Sequence, residues 1–135
     1  MITVKHIFKS FADPVLKDIS FVFETGKTNL IIGKSGSGKS VLTQCIVGLH
    51  EPDKGEIYFD DRKWSDLKPK ARKEIRKEIG MLFQQGALFD SLTVEENVAF
   101  PLNMFTKMTK DEIADRVNFS LNRVNIINKN QLFPS

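Results

Sequence analysis

Residues 33–40 read Gly33-Lys34-Ser35-Gly36-Ser37-Gly38-Lys39-Ser40, and this stretch decides the fold. It matches the pattern G-x-x-x-x-G-K-[ST] at every fixed position. The apolar run Leu30-Ile31-Ile32 comes directly before it, and apolar residues at helical spacing follow it over 41–49. A strand, a glycine-rich loop and a helix in this order are the context that a phosphate-binding P-loop requires.

The residue types of this loop suit a phosphate bound at the start of a helix. Consecutive backbone N–H groups curled around the anion donate from one side, and the helix adds its positive N-terminal end. Glycine at 33, 36 and 38 keeps side chains out of the approach, while Lys34, Ser35 and Ser37 contribute their backbone. We expect Lys39 to bring its ammonium to the β- and γ-phosphates of ATP and Ser40 to place its hydroxyl on Mg²⁺.

Length and composition indicate one globular domain. The 135 residues suffice for a buried core, and 41% hydrophobic with 27% charged residues is not the balance of a disordered chain. No apolar run approaches the roughly 20 residues that cross a bilayer, and the N-terminus lacks the layout of a signal peptide. A single cysteine, Cys45, excludes an internal disulfide and suits a small buried position, so a cytosolic setting is the default expectation.

Hydrophobic periodicity predicts alternating strands and helices. Strands are expected at 2–8 (at a sheet edge), 19–23, 28–32 (buried on both faces), 56–59 and 79–83, and helices at 41–49 and 69–77. Thr93 and Thr109 are each followed three positions later by glutamate, which predicts two helix starts with capping boxes. The apolar face of the second of these helices is predicted from its spacing to comprise Ile113, Val117, Leu121, Val124 and Ile127.

Five segments, in this order and spacing, resemble the ATPase subunits of ABC transporters: Phe8-Lys-Ser-Phe11, Leu16-Lys-Asp-Ile-Ser-Phe21, the P-loop, Gly55-Glu-Ile-Tyr-Phe59 and Gly80-Met-Leu-Phe-Gln84. The resemblance covers essentially the whole chain. It implies an α/β fold, with a P-loop NTPase (RecA-like) core and an N-terminal antiparallel β subdomain over 1–90. Residues 91–135 would begin the ABC helical subdomain, so that 1–135 forms one partial ABC ATPase domain.

The resemblance also assigns roles to two residues outside the P-loop. Phe11 falls where the family places an aromatic that stacks on adenine, which suits a planar ring that needs no hydrogen-bond code; ordinary core packing is the alternative. Gln84 matches the Q-loop glutamine, whose amide can contact Mg²⁺ or the attacking water. The adjacent Gln85 is the alternative ligand. The predicted nucleotide-binding set is therefore the P-loop with Phe11 and Gln84, and Ser40 and Gln84 are the predicted metal ligands.

A narrower likeness concerns 84–102, which is similar to the ATPase subunits of phospholipid-trafficking, Mla-type transporters; methionine importers are the competing subgroup. In such proteins this region forms part of the groove that binds the permease. In this chain Ala87-Leu-Phe89 is either part of that docking surface or a buried loop. The implied partners are a second ATPase subunit in a homodimer and a membrane permease, and the resemblance allows a substrate-binding component. The implied location is cytoplasmic, at the inner face of the cell membrane through the permease.

Several family motifs are absent from the 135 residues: the LSGGQ-type signature, the Walker-B aspartate, the catalytic glutamate and the switch histidine. In the family, a segment like Gln131-Leu-Phe-Pro-Ser135 comes directly before the signature. We therefore expect that these 135 residues alone are unstable or prone to aggregation and do not turn over ATP. A truncated, inactive gene product is a further alternative.

A basic stretch supports the main alternative function, that of a non-transport ABC protein acting on nucleic acid or the ribosome. Eight lysines and arginines lie within 62–77, and they indicate either a solvated helix face or a surface for nucleic acid or anionic membrane. No interleaved aromatic platform accompanies them, so nucleic acid is the weaker interpretation. His6 and His50 are interpreted as structural or surface residues, and Asp60-Asp61 as a turn. The sequence leaves open whether Trp64 covers the core or contacts a partner.

Overall fold

The fold is that of a computed structural model, which describes residues 1–83 and 86–134. The chain divides into two compact units, Met1–Gly80 and Met81–Ser135. No helix in the described ranges is both long and apolar enough to cross a membrane. The predicted subdivision into 1–90 and 91–135 stays a prediction.

The first unit is built on a four-stranded antiparallel sheet. Its strands are β1 (Ile2–Ser10), β2 (Pro14–Phe23), β3 (Lys54–Phe59) and β4 (Arg62–Lys63), in the spatial order β2-β1-β3-β4. β1 therefore lies inside the sheet, and its predicted edge position is wrong. The reason is a pairing distant in sequence: β3 returns along β1, so that Val4 lies between Phe21 of β2 and Ile57 of β3.

One helix, α1 (Lys39–Ile46), covers the core of this unit. Its buried face carries Leu42, Cys45 and Ile46, which pack in one cluster with Val4 and Ile7 of the central strand. Cys45 is fully buried, as predicted, and burial raises the pKa of its thiol because the charged thiolate is disfavoured away from water.

Trp64 belongs to the same core. It opens a short 3-10 helix at Trp64–Asp66, is almost fully buried, and contacts the ring of Phe59 at 5.7 Å between centroids. The helix α2 (Pro69–Lys77), which has the predicted bounds, begins with proline in its first turn. Its Arg72 and Arg76 lie over the indole at 5.0 and 5.3 Å from the ring centroid. The structure thus assigns Trp64 to the core.

Two predicted strands are not formed. Residues 28–32 and 79–83 contain no strand, and Leu30 and Ile32 are 79% and 82% exposed rather than buried on both faces. A strand exists only with a partner for its backbone, and none of the four strands in the described part of the chain pairs with either segment. The prediction of strands at 28–32 and 79–83, the first buried on both faces, is therefore wrong for this structure.

The second unit contains α3 (Val94–Phe105) and α4 (Lys110–Arg123), and both begin with the predicted capping boxes. In each box, the threonine hydroxyl oxygen accepts a hydrogen bond from the backbone N–H of the glutamate three residues later. The carboxylate of that glutamate accepts one from the backbone N–H of the threonine. Hydrogen bonding to these threonine N–H groups lowers the pKa of Glu96 and Glu112. Val117 and Leu121 are buried as predicted, but α4 ends at Arg123, and Val124 and Ile127 beyond it are exposed.

Candidate nucleotide-binding site

Residues 33–37 form an exposed loop, and the buried Gly38 joins this loop to Lys39, the first residue of α1. The N–H of Ser37 donates to the carbonyl of Lys34 at 3.2 Å and closes the loop. Within the described residues, the N–H groups of Lys34, Ser35 and Gly36 donate to no protein oxygen. They are therefore available to an anion, next to the positive end of a helix.

Gly38, the residue before α1, has two reasons to be glycine. Its φ of +89° lies in the left-handed region, and it is buried against the start of β2. A Cβ there would lie 2.9 Å from Leu16 Cδ2 and 3.0 Å from Val15 Cγ1. The sequence predicts a role for this glycine in phosphate access alone, and the structure adds that the glycine lets β2 approach the loop.

Lys39 folds back over the loop that precedes it. Its Nζ donates to the carbonyl oxygens of Gly33 and Lys34, each at 2.8 Å. An ammonium has three donors, so one remains for an anion held by the loop. The hydroxyl of Ser40 is exposed one residue further on, and no hydrogen bond to it is found within the described ranges. Lys39 and Ser40 thus lie next to each other in the first turn of α1, directly after the loop.

Phe11 lies in the turn between β1 and β2 and is 55% exposed. This exposure contradicts the alternative that it is an ordinary core residue and leaves ring surface available for stacking. Its N–H donates to the carbonyl of Asp13 at 3.1 Å. The ring of His50 approaches it edge-on, with 5.4 Å between centroids and 76° between planes.

An ion pair that the sequence analysis missed fixes the turn around Phe11. Lys9 Nζ donates to Asp53 Oδ1 at 2.9 Å and lies 5.6 Å from the centroid of the Phe11 ring. The other carboxylate oxygen accepts from the N–H of Ser10 at 2.6 Å. These bonds, from Lys9 first, lower the pKa of Asp53. No local sequence signal indicates them, because the partners are more than 40 residues apart.

Gln84 and Gln85, the candidate Q-loop residues, lie outside the described residues, so their assignment stays a prediction. The segment after them is visible in the second unit. Leu88 and Phe89 are 57% and 48% exposed, which contradicts the buried-loop alternative. Asn97 of α3 holds this segment: its Oδ1 accepts from the N–H of Phe89 at 2.8 Å, and its Nδ2 lies 3.0 Å from the carbonyls of Phe89, Leu92 and Thr93.

The basic stretch is largely engaged in contacts within the first unit. Arg72 pairs with Glu51 at 2.7 Å, and Lys77 pairs with Glu74. Arg76 donates to the carbonyl of Gly48, just beyond the end of α1, at 2.9 Å. These contacts give Arg72, Arg76 and Lys77, three of the eight basic residues, partners within the first unit.

The residues present fit a nucleoside triphosphate with Mg²⁺. Counting partners among the described residues only, this stretch of eight residues offers unpaired N–H donors, one remaining ammonium proton and the hydroxyl of the exposed Ser40, which is a donor set for phosphate oxygens. A hydroxyl oxygen suits Mg²⁺, which otherwise keeps waters and phosphate oxygens as ligands.

Comparisons with known proteins agree with this chemistry. The family model described as ABC transporter matches residues 16–134. The methionine import ATP-binding protein MetN of Clostridioides difficile (strain 630) is 42% identical over 96% of this chain, which covers 40% of that protein. The probable ribonucleotide transport ATP-binding protein mkl of Mycobacterium leprae (strain TN) is 37% identical over 98% of this chain, which covers 39% of it.

The fold is shared with solved ATP-binding cassettes. The dimeric post-hydrolysis structure of the cassette MJ0796, bound to ADP and Pi, superposes with a TM-score of 0.88 at 31% identity. The match covers 99% of this chain and 62% of that one. The chain spans about two fifths of the length of the MetN and mkl proteins. With the P-loop and its geometry, the family match over 16–134 shows that this chain belongs to the ABC transporter family.

Proposed function

We propose that this chain supplies the nucleotide-binding surface of an ATPase subunit that couples ATP binding and hydrolysis to transport across a membrane. One observation carries the proposal: free backbone N–H groups and the Lys39 ammonium lie together at the N-terminal end of α1. That arrangement is suited to polyphosphate, and the family match gives it the setting of a transporter.

Each residue then has a defined task. The N–H groups of 34–36 receive the phosphate oxygens, and Lys39 exchanges part of its contact with the loop carbonyls for contact with the β- and γ-phosphates. Ser40 and Gln84 are the proposed protein ligands of Mg²⁺, which neutralises phosphate charge when bound. Phe11 stacks on the base. In hydrolysis, water attacks the γ-phosphorus, the bond to the β–γ bridging oxygen breaks, and ADP and phosphate leave.

The proposed partners follow from the family. A second ATPase subunit forms a homodimer that closes on two nucleotides, and the permease binds at the cytoplasmic face of the membrane. The exposed Leu88 and Phe89, held in place by Asn97, support a docking role for this segment. A substrate-binding component fits an importer, such as the one named for the MetN relative.

The proposed cargo is phospholipid, and methionine is the competing candidate. The support for phospholipid is the likeness of 84–102 to Mla-type subunits. The two relatives above carry the names of methionine and ribonucleotide transport, which favours a small solute. Phosphate release by the assembled transporter distinguishes them: stimulation by phosphatidylethanolamine–phosphatidylglycerol vesicles supports phospholipid, and stimulation by methionine with its binding component contradicts it.

Docking is tested by one charge substitution and a matched control. We expect Phe89→Asp to abolish co-purification with the permease, since it places a carboxylate on the proposed contact surface. Phe119→Asp alters a similarly exposed phenylalanine on α4, flanked by Arg116 and Arg123, and we expect it to leave co-purification unchanged. Equal co-purification of the two variants with the permease would contradict the docking assignment.

The nucleic-acid alternative has its own test. Retention of the protein on a DNA column, with a steep salt dependence, would favour it.

A further inference from the structure

Phe11 is an exposed aromatic residue in a tight turn, yet its ring is not left free. The His50 ring contacts it at 5.4 Å in an edge-to-face arrangement, which aromatic pairs favour. The Lys9 ammonium lies 5.6 Å from its centroid. About half of the residue remains exposed to solvent. The ring is therefore supported by two neighbours while part of its surface stays open.

His50 reaches this place from the helix that follows the P-loop. The N–H groups of Leu49 and His50 both donate to the carbonyl of Gln44, at 2.9 and 3.3 Å, so the chain turns tightly beyond the end of α1. His50 itself is half-buried. The helix whose first residue is Lys39 thus leads directly to the residue that contacts Phe11.

The Phe11 turn is also fixed to the chain beyond His50. Asp53 accepts from Lys9 and from the N–H of Ser10, and its own N–H donates to the carbonyl of Phe8 at 2.8 Å. At the other end of α1, Gly38 packs against Val15 and Leu16 just after the turn. The residue before α1 and the segment that follows α1 therefore both contact the β1–β2 region, so the position of the Phe11 ring is linked to that of the phosphate loop.

We propose that His50 is a positioning residue for the nucleobase: it holds the Phe11 ring in the orientation that stacks on the base of a bound nucleotide. This inference rests on the proposed function. A ring that is already ordered loses less conformational freedom when the base binds, so the stacking contact yields more affinity. Stacking is tolerant of base identity. His50 therefore strengthens the binding of nucleotides relative to triphosphates that lack a base, but it does not select one base over another.

The experiment compares two ligands that differ in the base. The magnesium complexes of ATP and of inorganic tripolyphosphate are titrated calorimetrically into the assembled transporter that contains this chain, unaltered or as the variants His50→Ala, Phe11→Ala, the double variant and His6→Ala. His6 is a matched control, because it is an exposed histidine of the same unit that pairs with Asp18. Binding of tripolyphosphate also reports that each variant retains a folded P-loop.

We expect Phe11→Ala to weaken ATP binding about tenfold or more and His50→Ala to weaken it about two- to tenfold. Neither should change the affinity for tripolyphosphate, and the double variant should bind ATP no more weakly than Phe11→Ala alone. Two results would overturn the positioning role. One is that His50→Ala binds ATP as the unaltered protein does, although Phe11→Ala binds it more weakly. The other is that His50→Ala loses equal affinity for ATP and for tripolyphosphate. ATP affinity unchanged in Phe11→Ala overturns the base platform but leaves P-loop binding intact, whereas failure of the unaltered protein to bind either ligand overturns both proposals.

Discussion

Arg76 Nη2 donates to the carbonyl of Gly48 at 2.9 Å, and the same guanidinium lies over the indole of Trp64. Gly48 in turn contacts the indole so closely that a methyl group in its place would overlap the ring. α2 is thereby fastened to the end of the P-loop helix through a buried tryptophan. These contacts explain why a strongly basic helix belongs to the fold of the first unit.

Gly48→Ala tests this junction. The residue has a φ of +74°, and the added methyl meets Trp64, so we expect a loss of about 2–4 kcal/mol in the free energy of unfolding. Gly26→Ala is the matched control: its φ is +72°, but no atom lies within 4 Å of the added Cβ. It should cost only about 1 kcal/mol, from backbone strain. Equal losses in urea unfolding would show that the contact with Trp64 does not contribute.

Asn97→Ala tests how the exposed segment at Leu88 and Phe89 is held. The change removes the acceptor of the Phe89 N–H and the donor to three carbonyls. We therefore expect the free energy of unfolding of the second unit to fall by about 1–3 kcal/mol. The rate of hydrogen exchange at the Phe89 amide should rise in the same variant. Asn103→Ala on the same helix is the control, because Asn103 is exposed and no hydrogen bond of its side chain is found among the described residues. Unchanged protection of Phe89 in Asn97→Ala would contradict the assignment.

Asp53→Asn tests the pH dependence of the Phe11 turn. The folded-state pKa of Asp53 is lowered by Lys9 and by the Ser10 N–H, so this group stabilises the fold above its unfolded pKa of about 3.9. That contribution is lost as the pH falls through the lower folded value. We therefore expect the variant to melt below the unaltered protein at pH 7, with a difference that narrows below about pH 4. A difference that stays constant into acid would contradict the ion-pair origin, and Asp61→Asn provides the control.

Local sequence signals predicted a large part of this structure. The P-loop is recognisable because its chemistry lies in eight consecutive residues, and the capping boxes at Thr93 and Thr109 need only four residues each. The bounds of α2 follow from Pro69 and the residues that come after it. Each of these features depends on contacts within one or two turns of the chain.

Long-range contacts account for what was missed. The central position of β1 depends on β3, some 50 residues away, and the burial of Trp64 depends on Gly48 and α2. The apolar run Leu30-Ile31-Ile32 has strand character, but pairing depends on a neighbouring strand that its own residues do not specify. At the candidate site, His50 gave no signal because its relation to Phe11 arises only when α1 packs on the sheet.

The most direct test of the central claim is the affinity of the protein for Mg-ATP before and after Lys39→Ala. The substitution removes the ammonium that now bridges the carbonyls of Gly33 and Lys34. We predict that binding falls by about two orders of magnitude or more, as for loss of a charge-assisted contact to phosphate. Lys27→Ala, in the turn with Glu24, should bind as the unaltered protein does. Calorimetric ATP affinity that is unchanged in Lys39→Ala would contradict the assignment of 33–40 as the nucleotide site.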